Sequence, residues 1–211
     1  MKKYIAELIG TYALVFCGTG AIIINEISGG AVGHLGIALT FGCIVIAMIY
    51  AIGEISGAHI NPAVTIAFWS AGEFEGKEIL PYIVAQLIGA MLASASLYFL
   101  FPTATTMGET LPYGTISQSF ILEIILTFFL MFVIINVATG AKETGMMAGL
   151  AIGLTVLLEA AFAGPICGAS MNPARSIAPA IFAGNLTHLW AYIIGPIIGA
   201  LLAVGAWKVI K

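Results

Sequence analysis

Charge is scarce in this chain. Of 211 residues, seven are Lys or Arg and ten are Asp or Glu, 8% together, and the net charge of −3 leaves no basic surface on which a nucleic acid would settle. Arginine occurs once, at Arg175. Cysteine is limited to Cys17, Cys43 and Cys167. That odd number has no metal-ligand spacing, so the three read as small apolar fillers, two of them within helices, and no metal or redox site is predicted. Long polar stretches are missing as well, which leaves no room for an enzyme domain outside the apolar runs. What is abundant is hydrocarbon: apolar residues make up 61% of the chain, far above the composition of a soluble domain.

Crossing the bilayer takes roughly 20 residues per helix, and six such runs are predicted at about 4–24, 33–53, 80–101, 117–138, 146–163 and 188–209. Met1-Lys2-Lys3 before an apolar run has the look of a signal peptide. It lacks a convincing cleavage site and leads straight into a full span, so it is read as the first helix. Six spans put both termini on one side, and Lys2, Lys3, Lys77, Lys142, Lys208 and Lys211 fall there with them. An excess of basic residues marks the cytoplasmic face. Arg175 is the lone cation left towards the outer face.

Two segments between these spans, about 54–71 and 164–184, are too short to cross. Each contains the tripeptide Asn-Pro-Ala, at Asn61-Pro62-Ala63 and Asn172-Pro173-Ala174. Asn before Pro is helix-start chemistry: the Asn side chain caps free backbone N–H groups, and Pro at the first helical position gives up an N–H that had no partner. A half-helix that starts inside the apolar layer is tolerated only where it is buried in protein or lines a wet cavity. Two of them imply a pore.

Other stretches repeat as well. Ala6-Glu7-Leu8-Ile9-Gly10-Thr11-Tyr12 parallels Leu122-Glu123-Ile124-Ile125-Leu126-Thr127-Phe128, Gly89-Ala90 parallels Gly199-Ala200, and Gly57-Ala58 parallels Gly168-Ala169. Each half, about 1–105 and about 106–211, holds three spans and one short helix. An odd number of spans turns the second copy upside down, with the site near the midplane. The predicted fold is an all-α integral membrane protein, one channel domain over 1–211, with six transmembrane helices, two re-entrant half-helices and an inverted internal repeat.

The pore chemistry follows from these residues. Facing helix N-termini each present about half a positive charge, which repels cations and a migrating hydronium. Asn61 and Asn172 add N–H donors at that point. The loop carbonyls of Gly57, Ala58 and His59, and of Gly168, Ala169 and Ser170, supply a ladder of acceptors that replaces hydration for a solute in single file. Two Asn-Pro turns in surface loops would not have apolar, duplicated flanks. Glu7 and Glu123 lie inside spans, where a carboxylate is costly and needs a partner or water. A proton relay is the rival role for them, but no His or acid chain joins the two.

Ser56-Gly57-Ala58-His59-Ile60-Asn61-Pro62-Ala63-Val64-Thr65 and Gly168-Ala169-Ser170-Met171-Asn172-Pro173-Ala174-Arg175-Ser176 closely resemble the two signature loops of the aquaporins, the major intrinsic proteins. The resemblance covers essentially the whole chain. Met48-Ile49-Tyr50-Ala51, Val64-Thr65-Ile66-Ala67-Phe68 and Ala163-Gly164-Pro165 look most like the nodulin-26-like branch. The resemblance implies that Glu7 and Glu123 each brace the loop of their own half. It also implies a filter near Arg175, built from one residue of helix two, one of helix five and two of the second loop, which here are Phe41, Ala160, Ala169 and Arg175. Water-selective relatives usually carry His in the Ala160 slot. Glycerol facilitators share the aromatic and the small residue, but differ in a second aromatic at the Ala169 slot and Asp at the Ser176 slot. The ring is expected to be amphipathic and wider than a water-only filter, suited to glycerol or to boric, silicic or arsenous acid. A strictly water-selective pore and a closed-pore structural protein remain as alternatives. A homotetramer in the plasma membrane is also implied, with no cofactor.

Other residues carry weaker signals. Glu159 adjoins Ala160, and two readings stand: it faces the outer vestibule, or it points into the protein. His34 and His188 fall near outer span ends, and His59 is read as a loop residue used for its backbone. Gly149-Xaa-Xaa-Xaa-Gly153 and Gly195-Xaa-Xaa-Xaa-Gly199 are expected to let helices pack closely inside the bundle. A secondary transporter would need ion-coupling carboxylates near the helix breaks, and an enzyme would need a nucleophile or base constellation. Neither is present in the sequence.

Overall fold

The computed structural model describes residues 1–140 and 145–211, so Lys142 lies outside the described residues. Among those residues the chain forms eight helices and no strand: α1 (Lys2–Ile27), α2 (Gly33–Ser56), α3 (Pro62–Ala71), α4 (Gly76–Leu100), α5 (Ile116–Ala138), α6 (Ala148–Cys167), α7 (Pro173–Ala183) and α8 (Leu189–Ile210). Six of them, α1, α2, α4, α5, α6 and α8, are long and apolar enough to cross a membrane. The other two, α3 and α7, have 10 and 11 residues, and at about 1.5 Å per residue each reaches only half-way across the hydrocarbon.

Four of the helices stop where glycine permits a left-handed residue, not where hydropathy falls. α2 runs to Ser56 and ends on Gly57 at φ 85°, and α6 runs through Pro165 to Cys167 and ends on Gly168 at φ 83°. Both therefore extend beyond the predicted ends at 53 and 163. α3 and α7 end in the same way, on Gly72 at φ 88° and Gly184 at φ 74°.

Packing makes the duplication visible as symmetry. Gly42 in α2 and Gly153 in α6 are equivalent positions in the two halves, and they touch each other. A Cβ on Gly42 would lie 2.7 Å from the carbonyl oxygen of Gly153, and one on Gly153 would lie 2.6 Å from that of Gly42. A local two-fold axis passes between them. The same relation ties α1 to α4 and α5 to α8: a Cβ on Gly89 would meet the Leu8 carbonyl at 2.2 Å, and one on Gly199 would meet the Ile124 carbonyl at 2.2 Å. Both small-residue motifs work inside the bundle, since Gly149 also makes room for the Tyr50 ring. Large apolar side chains such as Leu35, Phe99, Phe129, Leu158 and Phe162 stand exposed on the outside, which suits a lipid-facing surface. Lys3 pairs with Glu78 at 3.0 Å and Lys208 donates to the carbonyl of Ser70 at 2.8 Å, so the start of α1, the start of α4 and the ends of α3 and α8 share one face.

Backbone carbonyls cannot step aside as side chains can. Gly89→Val and Gly199→Val should each destabilise the bundle by about 1–3 kcal/mol or more through overpacking. Gly205→Val, where nothing lies within 4 Å, should be nearly neutral. Midpoints of thermal unfolding in detergent check the contrast.

Candidate functional site

Each half-helix begins on its asparagine. Asn61 Oδ1 accepts from the backbone N–H of Ala63 at 2.9 Å, and Asn172 Oδ1 accepts from those of Ala174 at 3.0 Å and Arg175 at 3.4 Å. These bonds fix which end of each amide is oxygen. The nitrogens then reach across the two-fold axis: Asn61 Nδ2 donates to the Met171 carbonyl at 2.8 Å and Asn172 Nδ2 to the Ile60 carbonyl at 2.9 Å. Each NH₂ group spends one hydrogen on the opposite repeat and keeps the other. The two short helices therefore meet by their N-termini and are stitched together at that point.

The non-helical segments before the two helices are held from behind. Glu7 Oε1 accepts from the N–H of His59 at 2.9 Å and the Ser56 hydroxyl at 2.7 Å, while Oε2 accepts from the N–H of Ile60 and from Gln86 Nε2 at 2.7 and 2.8 Å. Glu123 accepts from the N–H groups of Ser170 and Met171, both at 2.8 Å. Both carboxylates are buried. Ala58, Ile60, Ala169 and Met171 all have positive φ, between 40° and 53°, a conformation that costs a non-glycine residue about 1–2 kcal/mol. The carbonyls of Gly57, Ala58 and His59, and of Gly168, Ala169 and Ser170, accept no hydrogen bond from the described residues. All of these residues except Gly168 border a cavity of about 800 Å³. Gly168 instead packs against Thr110.

That cavity starts among Tyr50, Glu54 and Met146, passes Asn61 and Asn172, and ends at Phe41, Ala160, Ala169 and Arg175. The structure brings these last four together. The Arg175 guanidinium carbon lies 5.0 Å from the Phe41 ring centroid, and Nη1 donates to the Gly108 carbonyl at 2.7 Å. Arg175 is only 2% exposed, and its Nε has no partner among the described residues. One fixed cation thus faces an aromatic wall, in a cavity that Ala160 and Ala169 also line.

Several contributors carried no signal in the linear reading. Gly18 in α1 gives the Phe41 ring its place, since a Cβ there would lie 2.1 Å from it. Cys167 is not a filler: its Sγ accepts from the N–H of Ala169 at 3.4 Å, as the hydroxyl of Ser56 accepts from that of Ala58 at 3.1 Å. Comparing the two halves position by position would have paired it with Ser56. All three cysteines lie within helices, two of them deep in α1 and α2. His59 uses its ring as well as its backbone, stacking on Phe68 at 4.8 Å and pairing through Nδ1 with Thr65 Oγ1 at 3.1 Å. Glu159 points into the protein: it is 2% exposed, is absent from the cavity wall, and has one oxygen without a partner among the described residues. His34 pairs with the Ala161 carbonyl at 2.7 Å, and His188 precedes α8. No cluster of His, Cys, Asp and Glu suited to a metal occurs among the described residues.

Six spanning helices, two half-helices meeting head to head and a cavity along their junction define a helical membrane channel. Residues 1–207 match the family described as Major intrinsic protein. The chain is 47% identical over 212 residues to aquaporin NIP1-1 of Zea mays, a match covering 100% of this chain and 75% of that one. It is 46% identical over 215 residues to aquaporin NIP1-2 of Arabidopsis thaliana, covering 98% and 72%. Its fold matches the X-ray structure of the aquaglyceroporin from Plasmodium falciparum with a TM-score of 0.88 at 26% identity, covering 98% of this chain and 95% of that one. The chain belongs to the major intrinsic protein family, whose members are channels and not enzymes.

Replacing Glu7 or Glu123 by Gln keeps one acceptor oxygen and turns an NH₂ towards a backbone N–H. Each buried mismatch should cost about 1–3 kcal/mol. Lower folded yield and slower water flow are expected in both variants, and wild-type values in both would remove the bracing role.

Proposed function

We propose that this protein is a passive channel for water and small neutral solutes, with Phe41, Ala160, Ala169 and Arg175 as its selectivity filter. The observation that carries the reading is a buried guanidinium, held by a backbone carbonyl, that faces an aromatic ring in a cavity also lined by Ala160 and Ala169. Water alone would need no apolar wall and less room. A polyol, or a hydroxylated metalloid acid such as boric, silicic or arsenous acid, uses both the donor and the wall, and glycerol is in keeping with the similarity to an aquaglyceroporin. In this reading the loop carbonyls replace the solute's hydration, Asn61 and Asn172 orient it at the centre, and Pro62, Ala63, Pro173 and Ala174 begin the half-helices whose N-termini repel cations. Glu7 and Glu123 hold the loops.

The rest of the assignment follows from the same features. The 211 residues act as one channel domain, with repeats of about 1–105 and about 106–211. The face carrying Lys3, Lys77 and Lys208 is cytoplasmic, both termini with it, and the channel belongs in the plasma membrane. The family resemblance supports a homotetramer.

Two substitutions test the filter. Arg175→Val removes the one full positive charge of the ring and should raise proton leak while neutral-solute flow persists. Vesicles carrying a pH gradient and a pH-sensitive dye read this directly, and a wild-type protein that dissipates the gradient as fast as it passes water would defeat the charge argument. Ala160→His should abolish glycerol and boric acid flow and leave water flow largely intact, because steric exclusion acts before any hydrogen bond can help. The measured quantity is the glycerol-to-water permeability ratio at matched protein density. A wild-type ratio at the lipid background would make this a water-only pore.

A further inference from the structure

We propose that Thr110 and Ser176 are positioning residues of the filter, joined by a one-way chain of hydroxyls that locks the loop between α4 and α5 onto the second half-helix. The proposal rests on the filter reading above. Thr110 Oγ1 donates to Ser176 Oγ at 2.8 Å, Ser176 Oγ shares a hydrogen with Ser170 Oγ, and Ser170 Oγ donates to the Asn172 carbonyl at 3.0 Å. Each hydroxyl has one hydrogen to give. Ser170 spends its own on Asn172, so the hydrogen between the two serines comes from Ser176, and the one Ser176 receives comes from Thr110. The donors line up from Thr110 to Asn172 with none left over. All three side chains are buried, where an unpaired hydroxyl would be costly.

The first half shows what this chain replaces. There the equivalent hydroxyl, Thr65, donates to the Asn61 carbonyl at 3.1 Å and accepts from Gln86 Nε2 at 3.0 Å, a donor that comes from the spanning helix α4 and also holds Glu7. The position equivalent to Gln86 in α8 is Pro196, which has no side-chain donor. The second half-helix therefore draws its donor from a loop, and the loop becomes part of the filter. That loop is tied near its start, where Thr105 and Thr106 donate to Glu26 at 2.7 Å each, and near its end, where the N–H of Tyr113 donates to the Ile166 carbonyl at 2.9 Å. Between them Met107 packs into the core and Gly108 against Thr19, and Thr110 adds a hydrogen-bonded tie two residues after Gly108, whose carbonyl holds Arg175. Releasing Thr110 loosens the carbonyl that aims the guanidinium, and among the described residues the guanidinium has no second hydrogen bond to hold it.

Arg175 is the sole arginine of the chain, so its reaction with phenylglyoxal reports how firmly it is held without any need for flow. The full chain is reconstituted in vesicles as wild type, Thr110→Val, Thr110→Ser and Ser176→Ala, and modification of Arg175 is followed by mass spectrometry alongside water and glycerol permeability. Thr110→Val keeps the shape that packs on Gly168 and loses only the hydroxyl. Arg175 should react about fivefold faster in Thr110→Val and Ser176→Ala, the factor worth one net hydrogen bond. The glycerol-to-water ratio should move with it, and Thr110→Ser should restore both. A wild-type reaction rate in Thr110→Val overturns the proposal, and Ser176→Ala decides it if Thr110→Val does not fold. Wild-type vesicles no more permeable than bare lipid would defeat the channel reading, while the reaction rates would still decide this one.

Discussion

Everything in this molecule turns on how a stretch of non-helical backbone survives at membrane depth. A peptide unit there must have its N–H bonded, because no lipid atom can accept it. Glu7 and Glu123 meet that demand from the side away from the cavity, taking the N–H groups of His59 and Ile60 and of Ser170 and Met171. A peptide plane has two ends. Once its N–H is fixed outwards to a carboxylate, its carbonyl points the other way. The acceptor row and the buried acids are thus one device, and the alternating positive φ at Ala58, Ile60, Ala169 and Met171 is the conformation that keeps successive planes so aligned. The carboxylates are costly in an apolar layer and their oxygens are used: all four donors to Glu7 come from within the protein.

The two-fold axis lays out one backbone twice, and the proposed filter lies where the side chains break the symmetry. The positions equivalent to Phe41, Ala160, Ala169 and Arg175 are Ile152, Ile49, Ala58 and Val64, and all four of these border the cavity as well. The inner ring is therefore built on the same plan as the outer one but is apolar throughout. An arginine stands where its partner repeat has valine, so only one end of the passage carries a fixed donor with full charge. The change from Gln86 to Pro196 is of the same kind. Duplication provided the geometry, and a few substitutions on it provided a direction.

Much of this was legible because some residues carry their reason locally. Asn before Pro caps a helix wherever it stands, and an acid in a twenty-residue apolar run needs a partner whatever the fold. Repetition of both, in step, was enough to infer an inverted pair of half-helices. Helix ends were less legible, since Gly57 and Gly168 stop α2 and α6 by backbone conformation while hydropathy continues past the predicted ends. Partners supplied from far along the chain were not legible at all. Gln86, Thr110 and Gly18 obey no period and match no motif, and Cys167 was disguised by its chemistry, since a thiol at the end of an apolar helix looks like packing until its N–H partner is seen.

The same arrangement explains why a pathway lined by so many polar groups suits neutral solutes and not ions. A cation would meet the two half-helix N-termini and the Arg175 guanidinium, all positive, with Glu7 and Glu123 turned away and already occupied. An anion would be drawn to that centre but would have to pass two rows of carbonyl oxygens and an apolar wall of Leu14, Val45, Leu130 and Ile134, which offers nothing in place of its hydration. A neutral molecule carrying both donors and acceptors can bond to the carbonyls first, to the asparagine amides next and to the guanidinium last, and at no point is it asked to leave a net charge unsolvated. Discrimination by charge is therefore spread along the cavity, whereas the proposed filter confines discrimination by size to the ring. In the proposed filter a change at Ala160 or Phe41 acts on which neutral solute passes, and the exclusion of ions rests on groups that either change leaves in place.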